Sequence, residues 1–433
     1  MDAILTIGGE VRFDTVAEPD SVRRIRETIG QLLQVKNLAL LIGSGASFHL
    51  GSPAIRRVSQ ETVKEMAAAA GLQISAEAEA ALSALVPEDG VDLETLLASL
   101  TNSLAYASSV ARDAVLIGPD TFGCDVLREL RRTVNISLAA ACDLPNNDRI
   151  DEQRFLADPW LAHREFFRRL LRSRRLDLPR VKVFTSNYDL VIERTLDDAG
   201  IPYFDGFVGT VDRVMRLETY QQDLYLPPQG DSRRLMRVPN VLYLYKIHGS
   251  VNWRTSTSLA AFGTSSIKQS ATDATDGAEL TLIYPTPHKE SDVLGHPYAD
   301  LLRMLSTTLS APETAILIVG YGFADEHINR LILQTLPSNP TLQIFIVDPF
   351  GVLERQEDPS GEYSFGSSPV ARLAQIPDQR LAVLTGMDAR FSTLAEAAMP
   401  DPDDFAVDES ASLADALERA IASSADTAQV DAG

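Results

Sequence analysis

The most constraining feature of the chain is a glycine-rich segment that directly follows an apolar run. Residues 38–42 read Leu-Ala-Leu-Leu-Ile, and residues 43–53 read Gly-Ser-Gly-Ala-Ser-Phe-His-Leu-Gly-Ser-Pro. A buried strand that ends in small residues and leads into a helix is typical of the start of a dinucleotide-binding α/β fold. Gly43 and Gly45 would supply unusual φ values and let the backbone approach a pyrophosphate, and N–H groups at a helix start attract phosphate charge. The spacing differs from the common Gly-x-Gly-x-x-Gly fingerprint.

Five further apolar segments predict the other strands of the sheet. They cover residues 181–185, 241–247, 280–284, 315–319 and 342–347. Several are apolar throughout instead of alternating, as expected for parallel strands whose two faces are both buried. Helices are predicted between some of them, notably over 189–199 and 325–336. Strands that alternate with helices predict an α/β fold with a Rossmann-like, doubly wound parallel sheet.

The long interval between the first two strands has an almost wholly helical pattern. Apolar residues recur there at helical spacing, for example Leu93, Leu96, Leu97 and Leu100. A helix over about 53–70 is predicted after the glycine-rich segment, and we expect a large helical insertion at about 60–178 that covers one side of the sheet. The predicted domains are an N-terminal arm (1–20), a nucleotide-binding domain with this insertion (21–398) and an acidic, partly disordered C-terminal tail (399–433).

The composition of the chain indicates which classes of partner and which cellular location to expect. Its 433 residues carry a formal net charge of −21. Phosphate backbones require a basic face, so no direct nucleic-acid partner is expected. No apolar stretch reaches the roughly 18 residues of a membrane span, and the N-terminus lacks the basic region of a signal peptide, so no membrane association is expected. With Cys124 and Cys142 as the only cysteines, a reducing, cytoplasmic location is the simplest interpretation.

Polar residues stand at the predicted carboxyl ends of the strands, where open α/β sheets bind their ligands. After the glycine-rich segment come Thr-Ser-Asn-Tyr-Asp at 185–189, His-Gly-Ser at 248–250, Gly-Tyr-Gly-Phe-Ala-Asp at 320–325 and Asp-Pro at 348–349. Each has a simple structural explanation, because Asn187, Asp189 and Asp325 could cap helices, and a lone histidine or glycine at a strand end is often structural. Their joint occurrence favours one shared site with a glycine loop, an amide, a carboxylate and an imidazole.

The order and spacing of these segments resemble those of the sirtuin superfamily. The family's opening, Gly-Ala-Gly-x-Ser, three residues and Gly-Ile-Pro, is matched in register by Gly43, Gly45, Ser47, Gly51 and Pro53. The family's Thr-Gln-Asn-Ile-Asp, His-Gly and Gly-Thr-Ser segments correspond to residues 185–189, 248–249 and 320–322. The resemblance spans about residues 38–350.

The chain also departs from the protein deacetylases of that family. Deacetylases carry two Cys-x-x-Cys pairs that hold a structural zinc, and two distant cysteines cannot supply such a site, so no metal is expected. Residues 54–56 read Ala-Ile-Arg where deacetylases have Asp-Phe-Arg, and Ser186 and Tyr188 flank the family's Asn in place of Gln and Ile. These variants resemble the bacterial sirtuin-like proteins that hydrolyse NAD+ in antiphage defence, several of which act beside a second protein, in some systems a HerA-type ATPase.

The resemblance implies an NAD+ glycohydrolase (NADase) with NAD+ as its substrate, which cleaves the nicotinamide–ribose bond and depletes NAD+ as a defence effector. Asn187 is the candidate that positions the ribose or the attacking water. His248 is the candidate base, because an imidazole titrates near physiological pH. The candidate NAD-binding residues are Gly43, Ser44, Gly45, Ala46, Ser47, Pro53, Asp189, Gly320, Tyr321, Gly322 and Asp348. His49, within the glycine-rich loop, is a weaker candidate.

Two other functions stay open on the sequence. The missing zinc cysteines count against an NAD-dependent protein deacylase, and the presence of both Asn187 and His248 counts against a non-catalytic sensor of NAD or ADP-ribose. We also expect a homo-oligomer, with the helical insertion or the N-terminal arm in the contact and the arginine-rich segment 164–175 as complementary charge. The resemblance to the defence proteins also implies that the chain docks on a HerA-type ATPase ring.

Overall fold

The computed structural model describes residues 2–18, 20–52, 57–150, 152–227, 235–256, 266–270, 280–282, 297–349, 353–355 and 363–401. The strands are β1 (Ile4–Ile7), β2 (Glu10–Asp14), β3 (Asn37–Ile42), β4 (Arg57–Val58), β5 (Val91–Asp92), β6 (Ala114–Ile117), β7 (Asp120–Gly123), β8 (Val181–Thr185), β9 (Tyr203–Phe204), β10 (Phe207–Val208), β11 (Arg213–Met215), β12 (Tyr225–Leu226), β13 (Met236–Arg237), β14 (Leu242–Lys246), β15 (Gly249–Ser256), β16 (Ser266–Gln269), β17 (Leu280–Leu282), β18 (Thr314–Val319), β19 (Gln343–Val347), β20 (Leu353–Arg355), β21 (Tyr363–Phe365) and β22 (Leu381–Thr385).

The helices are α1 (Ser21–Leu33), α2 (Gln60–Ala69), α3 (Ala76–Leu85), α4 (Leu93–Ser109), α5 (Cys124–Ala141), α6 (Gln153–Ala157), α7 (Leu161–Ser173), α8 (Val191–Asp198), α9 (Tyr298–Ser310), α10 (Glu326–Ser338), α11 (Pro369–Ala374) and α12 (Phe391–Thr393). Short 3-10 helices cover Ser44–Leu50, Asn147–Arg149 and Leu217–Gln221, and a π-helical turn covers Leu394–Ala398. Within the described residues, no helix combines the length and the apolar character that a membrane span requires.

A nine-stranded sheet forms the centre of the protein, with the strand order β2-β1-β22-β19-β18-β3-β8-β14-β9. Every pairing from β22 to β9 is parallel, while the β1–β2 hairpin at one edge runs antiparallel. From β3 the chain first adds β8 and β14 on one side, and later returns to add β18, β19 and β22 on the other. This reversal is a topological switch point, and it confirms the predicted doubly wound α/β fold.

The two faces of the central sheet are covered by separate apolar cores. Leu38, Leu40 and Ile42 of β3 point into a core that they share with α1, α7 and α8. Ala39 and Leu41 point to the opposite face, into a second core that includes residues of α9 and α10. Because both faces of β3 are buried, its sequence is apolar at consecutive positions instead of alternating.

One predicted strand lies outside the central sheet. β17 joins a five-stranded sheet of order β10-β11-β16-β15-β17, whose pairings are antiparallel. The prediction that residues 280–284 add a parallel strand is therefore wrong, and residues 283–284 lie outside the described residues. The second sheet begins next to the candidate site, because β15 starts at Gly249, directly after His248, with a φ of 88° at that glycine.

The helical insertion has an apolar core of its own. Helices α2 to α5 and the β6–β7 hairpin enclose buried residues that include Val63, Leu82, Leu97 and Leu127. The helix predicted from about residue 53 begins at Gln60, where the Ser59 hydroxyl accepts a hydrogen bond from the N–H of Thr62 at 3.1 Å. A serine that satisfies a free N–H group in this way defines the start of a helix.

The predicted N-terminal arm contains a hairpin. β1 and β2 are joined by a turn at Gly8 and Gly9, whose φ values are 60° and 83°, and β1 pairs with β22 at the edge of the central sheet. Most of the predicted acidic tail, residues 402–433, lies outside the described residues.

The arginine-rich helix α7 is neutralised inside the chain. The guanidinium group of Arg168 lies 2.8 Å from carboxylate oxygens of both Glu165 and Asp401. Arg164 pairs with Asp158. The guanidinium group of buried Arg174 donates to the backbone carbonyls of Leu33, Val35, Lys36 and Pro179. Arg168 thus ties α7 to Asp401 near the end of the described chain, and Arg174 ties it to α1. A subunit contact through residues 164–175 stays a prediction.

Candidate functional site

The strand ends that carry the predicted site residues lie side by side. Ile42 of β3 is paired with Thr185 of β8, and Thr185 with Lys246 of β14. On the other side of β3, Ile42 is paired with Val319 of β18, and Val319 with Val347 of β19. The segments that follow these five paired residues therefore leave the sheet at the same level. This confirms that the polar segments found in the sequence converge on one edge.

The glycines at this edge are required by a close contact between two loops. A Cβ atom on Gly43 would lie 2.4 Å from the carbonyl oxygen of Gly320, and one on Gly45 would lie 2.8 Å from the Cα of Gly320. A Cβ atom on Gly320, whose φ is +65°, would lie 2.3 Å from the nitrogen of Ala46. The expectation of unusual φ values at Gly43 and Gly45 is wrong, because the φ of Gly43 is −107° and Gly45 also lacks a positive φ. Backbone-to-backbone packing at the switch point excludes side chains here.

Much of the glycine-rich loop is already engaged with the protein. The N–H groups of Gly43, Gly45 and Ala46 donate to backbone carbonyls at 3.0, 2.9 and 3.0 Å. The side chains of Ala46 and Ser47 are buried, whereas Ser44 is exposed and Gly45 is half-buried. A pyrophosphate contact would therefore involve Ser44 and the outer face of Gly45 first. Pro53, also predicted to bind NAD, lies outside the described residues.

Asn187 is held at one end and unpaired at the other. Its backbone N–H donates to the hydroxyl of Thr185 at 3.0 Å, and its side-chain amide Nδ2 donates to the carbonyl of Gly43 at 3.2 Å. The Oδ1 atom is buried and has no hydrogen-bond partner among the described residues. A buried polar atom without a partner costs about 1–3 kcal/mol. Such an atom, fixed at the carboxyl edge of the sheet, has the chemistry to accept a hydrogen bond from a ligand.

His248 and Asp325 form a buried pair. Nε2 of His248 lies 2.9 Å from Oδ2 of Asp325, and both side chains are less than a tenth exposed. The other carboxylate oxygen accepts the N–H groups of His327 and Ile328 at 2.8 and 3.1 Å, at the start of α10. Burial raises the pKa of the Asp325 carboxyl, but the hydrogen bond and charge of His248 and these N–H groups outweigh it, so that the pKa is lowered. The carboxylate is therefore suited to orient the imidazole and to stabilise its protonated form.

The role of Asp325 beside His248 was missed in the sequence. The capping interpretation is confirmed, but the same carboxylate has a second partner that lies on another strand. One feature of the sequence could have indicated this second role. Asp325 stands five residues after Gly320, in the polar segment that follows a predicted strand. His248 follows β14 and Asp325 follows β18, and these strands are separated by β8 and β3 in the sheet. The contact between the two side chains therefore depends on the path of the loop after β18, which the sequence does not specify.

Asp189 lies beneath the glycine-rich loop. Its Oδ1 accepts the N–H of Val191 at 3.0 Å, and its Oδ2 is 3.3 Å from the hydroxyl of Ser47. Burial raises the pKa of this carboxyl in spite of the nearby Lys246 ammonium group. Asp189 thus caps the start of α8 and ties the Ser47 end of the loop to it. Its predicted contact with NAD stays a prediction.

The loop after β18 has one inward and one open position. The Tyr321 hydroxyl is 3.0 Å from Oδ1 of Asn329 and 3.2 Å from the carbonyl of Asp325, so this side chain supports the segment that carries Asp325. A Cβ atom on Gly322 would meet nothing within 4 Å, which leaves that face open to a ligand. Asp348 follows β19 at the same edge and is half-buried.

His49 packs into the protein below the loop. Its ring stacks on His163 with centroids 5.0 Å apart, and the rings of Phe155 and Phe391 lie 4.7 and 6.0 Å away. Burial, assisted by the charge of Arg154, lowers its pKa to about 4. This geometry favours a packing role over a ligand contact.

Metal ligands do not cluster in the part of the chain that the structure describes. No group of three or more His, Cys, Asp or Glu side chains there could hold a metal ion. Cys124 and Cys142 are both free thiols, and burial raises the pKa of Cys142 to about 12. A metal-independent activity stays a prediction.

Residues 181–364 match the model of the SIR2-like domain. The match supports a place in the sirtuin-like superfamily, and SIR2-like domains use NAD+ and often process it. The matched range contains Asn187, His248, Asp325 and Asp348, whereas the glycine-rich loop and the helical insertion precede it. No curated protein matches the sequence of this chain.

Proposed function

We propose that the chain is an NAD+ glycohydrolase that cleaves the nicotinamide–ribose bond and releases nicotinamide and ADP-ribose. The observation that carries the proposal is the buried Oδ1 of Asn187, which has no partner in the described part of the chain and lies on the segment next to the His248–Asp325 pair. Asn187 and His248 each lie two residues beyond the paired positions Thr185 and Lys246. Neighbouring parallel strands are about 4.8 Å apart, so the segments that carry the amide acceptor and the imidazole are neighbours at the carboxyl edge of the sheet.

The residues at this edge suit the chemical groups of NAD+. Oδ1 of Asn187 needs a donor, which a ribose hydroxyl or a water molecule supplies. Ser44, at the start of a 3-10 helix after β3, offers its exposed hydroxyl to a pyrophosphate, and Gly45 beside it has no side chain to block the approach. The open face of Gly322 admits a ligand atom close to the backbone. Asp348, at the end of β19, is placed to accept a hydrogen bond from the second ribose.

The chain's residues would act mainly by orientation and proton transfer. Asn187 orients the ribose or the attacking water. His248 accepts a proton from that water as its oxygen bonds to the ribose carbon, and the electron pair of the broken bond stays on nicotinamide, which leaves neutral. Asp325 stabilises the imidazolium that forms. Orientation matters because the transition state of glycosidic cleavage resembles an oxocarbenium ion and needs its nucleophile on one face.

The direct test incubates the purified chain with NAD+ alone and follows nicotinamide and ADP-ribose by chromatography. We expect equal amounts of both products without any acylated peptide, and none from the Asn187→Ala variant. Product formation that requires an acyl-lysine peptide would instead identify a deacylase. NAD+ or ADP-ribose binding without turnover would identify a sensor, and either result would overturn the proposal.

We further propose that the activity depletes NAD+ in antiphage defence, in a homo-oligomer that docks on a HerA-type ATPase. This part rests on the resemblance to sirtuin-like defence proteins. It predicts that cells with the wild-type chain and its neighbouring genes resist phage and lose NAD+ during infection, whereas cells with Asn187→Ala do neither. Light scattering of a strict, fully active monomer at micromolar concentration would contradict control by assembly.

A further inference from the structure

A buried cation stands between the segments that carry Asn187 and His248. Nζ of Lys246, at the end of β14, lies 2.8 Å from Oε1 of Glu193 on α8, and the Lys246 side chain is only 4% exposed. The same ammonium group donates to the carbonyl of Asp189 and reaches the carbonyl of Tyr188 at 3.4 Å. Lys246 thus contacts the two residues that directly follow Asn187, from a strand position two residues before His248.

The carbonyl of Tyr188 receives further donors from the segment after His248. The N–H of Val251 donates to it at 3.0 Å, and the Ser250 hydroxyl lies 3.3 Å away. Lys246 therefore completes a set of contacts between the two neighbouring segments. None of the contacts that Lys246 makes here involves the Asn187 or His248 side chain.

A contribution to the stability of the fold is a weak explanation for the buried ion pair of Lys246 and Glu193. A buried ion pair loses its hydration, and an apolar pair of similar volume is often as stable or more so. Burial raises the pKa of the Glu193 carboxyl in spite of the adjacent ammonium group, as expected for a charge with costly desolvation. What an apolar pair cannot replace is the directed contact from the ammonium group to two backbone carbonyls.

We propose that Lys246 and Glu193 are positioning residues that fix the spacing between Asn187 and His248. The inference rests on the proposed cleavage of NAD+. Glu193 holds the ammonium group, and the ammonium group holds the backbone that follows Asn187. Since a displacement of about 1 Å can lower a reaction rate about 100-fold, release of this backbone is expected to reduce turnover much more than substrate binding.

The test replaces both charges together, with Lys246→Met and Glu193→Leu in one chain, so that neither member of the pair is left buried without the other. We expect kcat to fall about 100-fold, KM to change less than about threefold, and the thermal midpoint to stay within a few degrees. The limbs of the pH–rate profile should stay in place, because Lys246 transfers no proton. Lys246→Met alone should lower kcat at least as much.

Arg180→Met is the matched control. Arg180 precedes β8 at the opposite end of the strand from Asn187, is 7% exposed and lies 2.8 Å from Asp223. Loss of this ion pair should leave kcat within about twofold of wild type.

The outcomes separate the inference from the proposed function. A wild-type chain that releases no nicotinamide overturns both. An active wild type with a folded, fully active double variant overturns the inference alone. A double variant that does not fold also overturns it, because a pair kept for positioning should be replaceable without loss of the fold. A parallel loss of kcat in Arg180→Met would point to general stability and would likewise contradict it.

Discussion

The protein buries histidines in two regions that differ in their partners. At the carboxyl edge of the sheet, Nε2 of His248 lies 2.9 Å from Oδ2 of Asp325. Below the glycine-rich loop, His163 stacks against His49 among phenylalanine rings, and neither of its ring nitrogens has a hydrogen-bond partner among the described residues. The first region gives the imidazole a carboxylate partner, whereas burial in the second lowers the pKa of His163 well below its ordinary value.

The difference teaches that burial alone does not identify a reactive histidine. Both regions adjoin the glycine-rich loop, and both contain an imidazole that the chain encloses. Of these two imidazoles, His248 is the one with a carboxylate partner, which would stabilise its protonated form. Substitutions at the two histidines and their partners should therefore affect turnover in one region and stability in the other.

The largest effect is expected at Asn187, the amide beside His248. Asn187→Ala should abolish NAD+ cleavage, because it removes the acceptor that orients the ribose or the water. Circular dichroism and the thermal midpoint should match those of wild type, since the lost Nδ2 contact is a single hydrogen bond. A variant that retains most of the wild-type turnover would remove Asn187 from the mechanism.

His248→Ala should lower kcat by about 100-fold or more, the usual scale for the loss of a general base. The affinity for NAD+, measured by calorimetry, should weaken far less. His163→Phe is the matched variant in the other region, and its kcat should stay within about twofold of wild type. Equal losses of kcat in both variants would contradict the proposed difference between His248 and His163.

Asp325→Asn should lower kcat about tenfold or more, with a smaller effect on stability. Asparagine still caps α10, but it no longer supplies a charge to the imidazolium ion. The acid limb of the kcat profile should move to lower pH, because protonation of His248 becomes less favourable. A profile that keeps the wild-type limb would show that the carboxylate does not act through the imidazole.

The paired experiment in the other region concerns stability at acid pH. The unfolded chain protonates His163 below pH about 6.5, whereas the folded chain keeps it neutral, so stability falls as the pH drops. For one such histidine the loss at pH 5 is about 2 kcal/mol relative to pH 7.5. Urea unfolding of His163→Phe should recover about this amount of the acid loss. An unchanged pH dependence would contradict a neutral, buried imidazole.

The smallest effect is expected from chelation. The unpaired nitrogens of His49 and His163 have the chemistry of metal ligands, yet no group of three metal-binding side chains includes them within the described residues. Treatment with EDTA should therefore change neither turnover nor the thermal midpoint. Metal analysis that finds one equivalent of zinc per chain, lost together with activity on chelation, would contradict the expectation of a metal-free protein.

The sequence reveals local features well because they depend on neighbours along the chain. Consecutive apolar residues in β3 and β18 predict strands buried on both faces, and the register of these strands and β8 brings the segments after Ile42, Thr185 and Val319 to one edge. The predicted edge and the doubly wound fold follow from that pattern. The prediction that residues 280–284 join the central sheet was wrong, because a short apolar run does not specify which of two sheets it joins.

What the sequence determined by itself is the α/β class, the order of the strand ends and the residue types that they carry. Only the tertiary structure decided how those residues are paired. It placed Asp325 against His248 across two intervening strands, and it showed that Gly43 and Gly320 are small because their loops touch. It also placed Lys246 on the backbone after Asn187, and His49 among rings instead of at the edge. The physical reason is that strand and helix patterns arise from contacts a few residues apart, whereas each of these pairings joins side chains and loops that are distant in sequence.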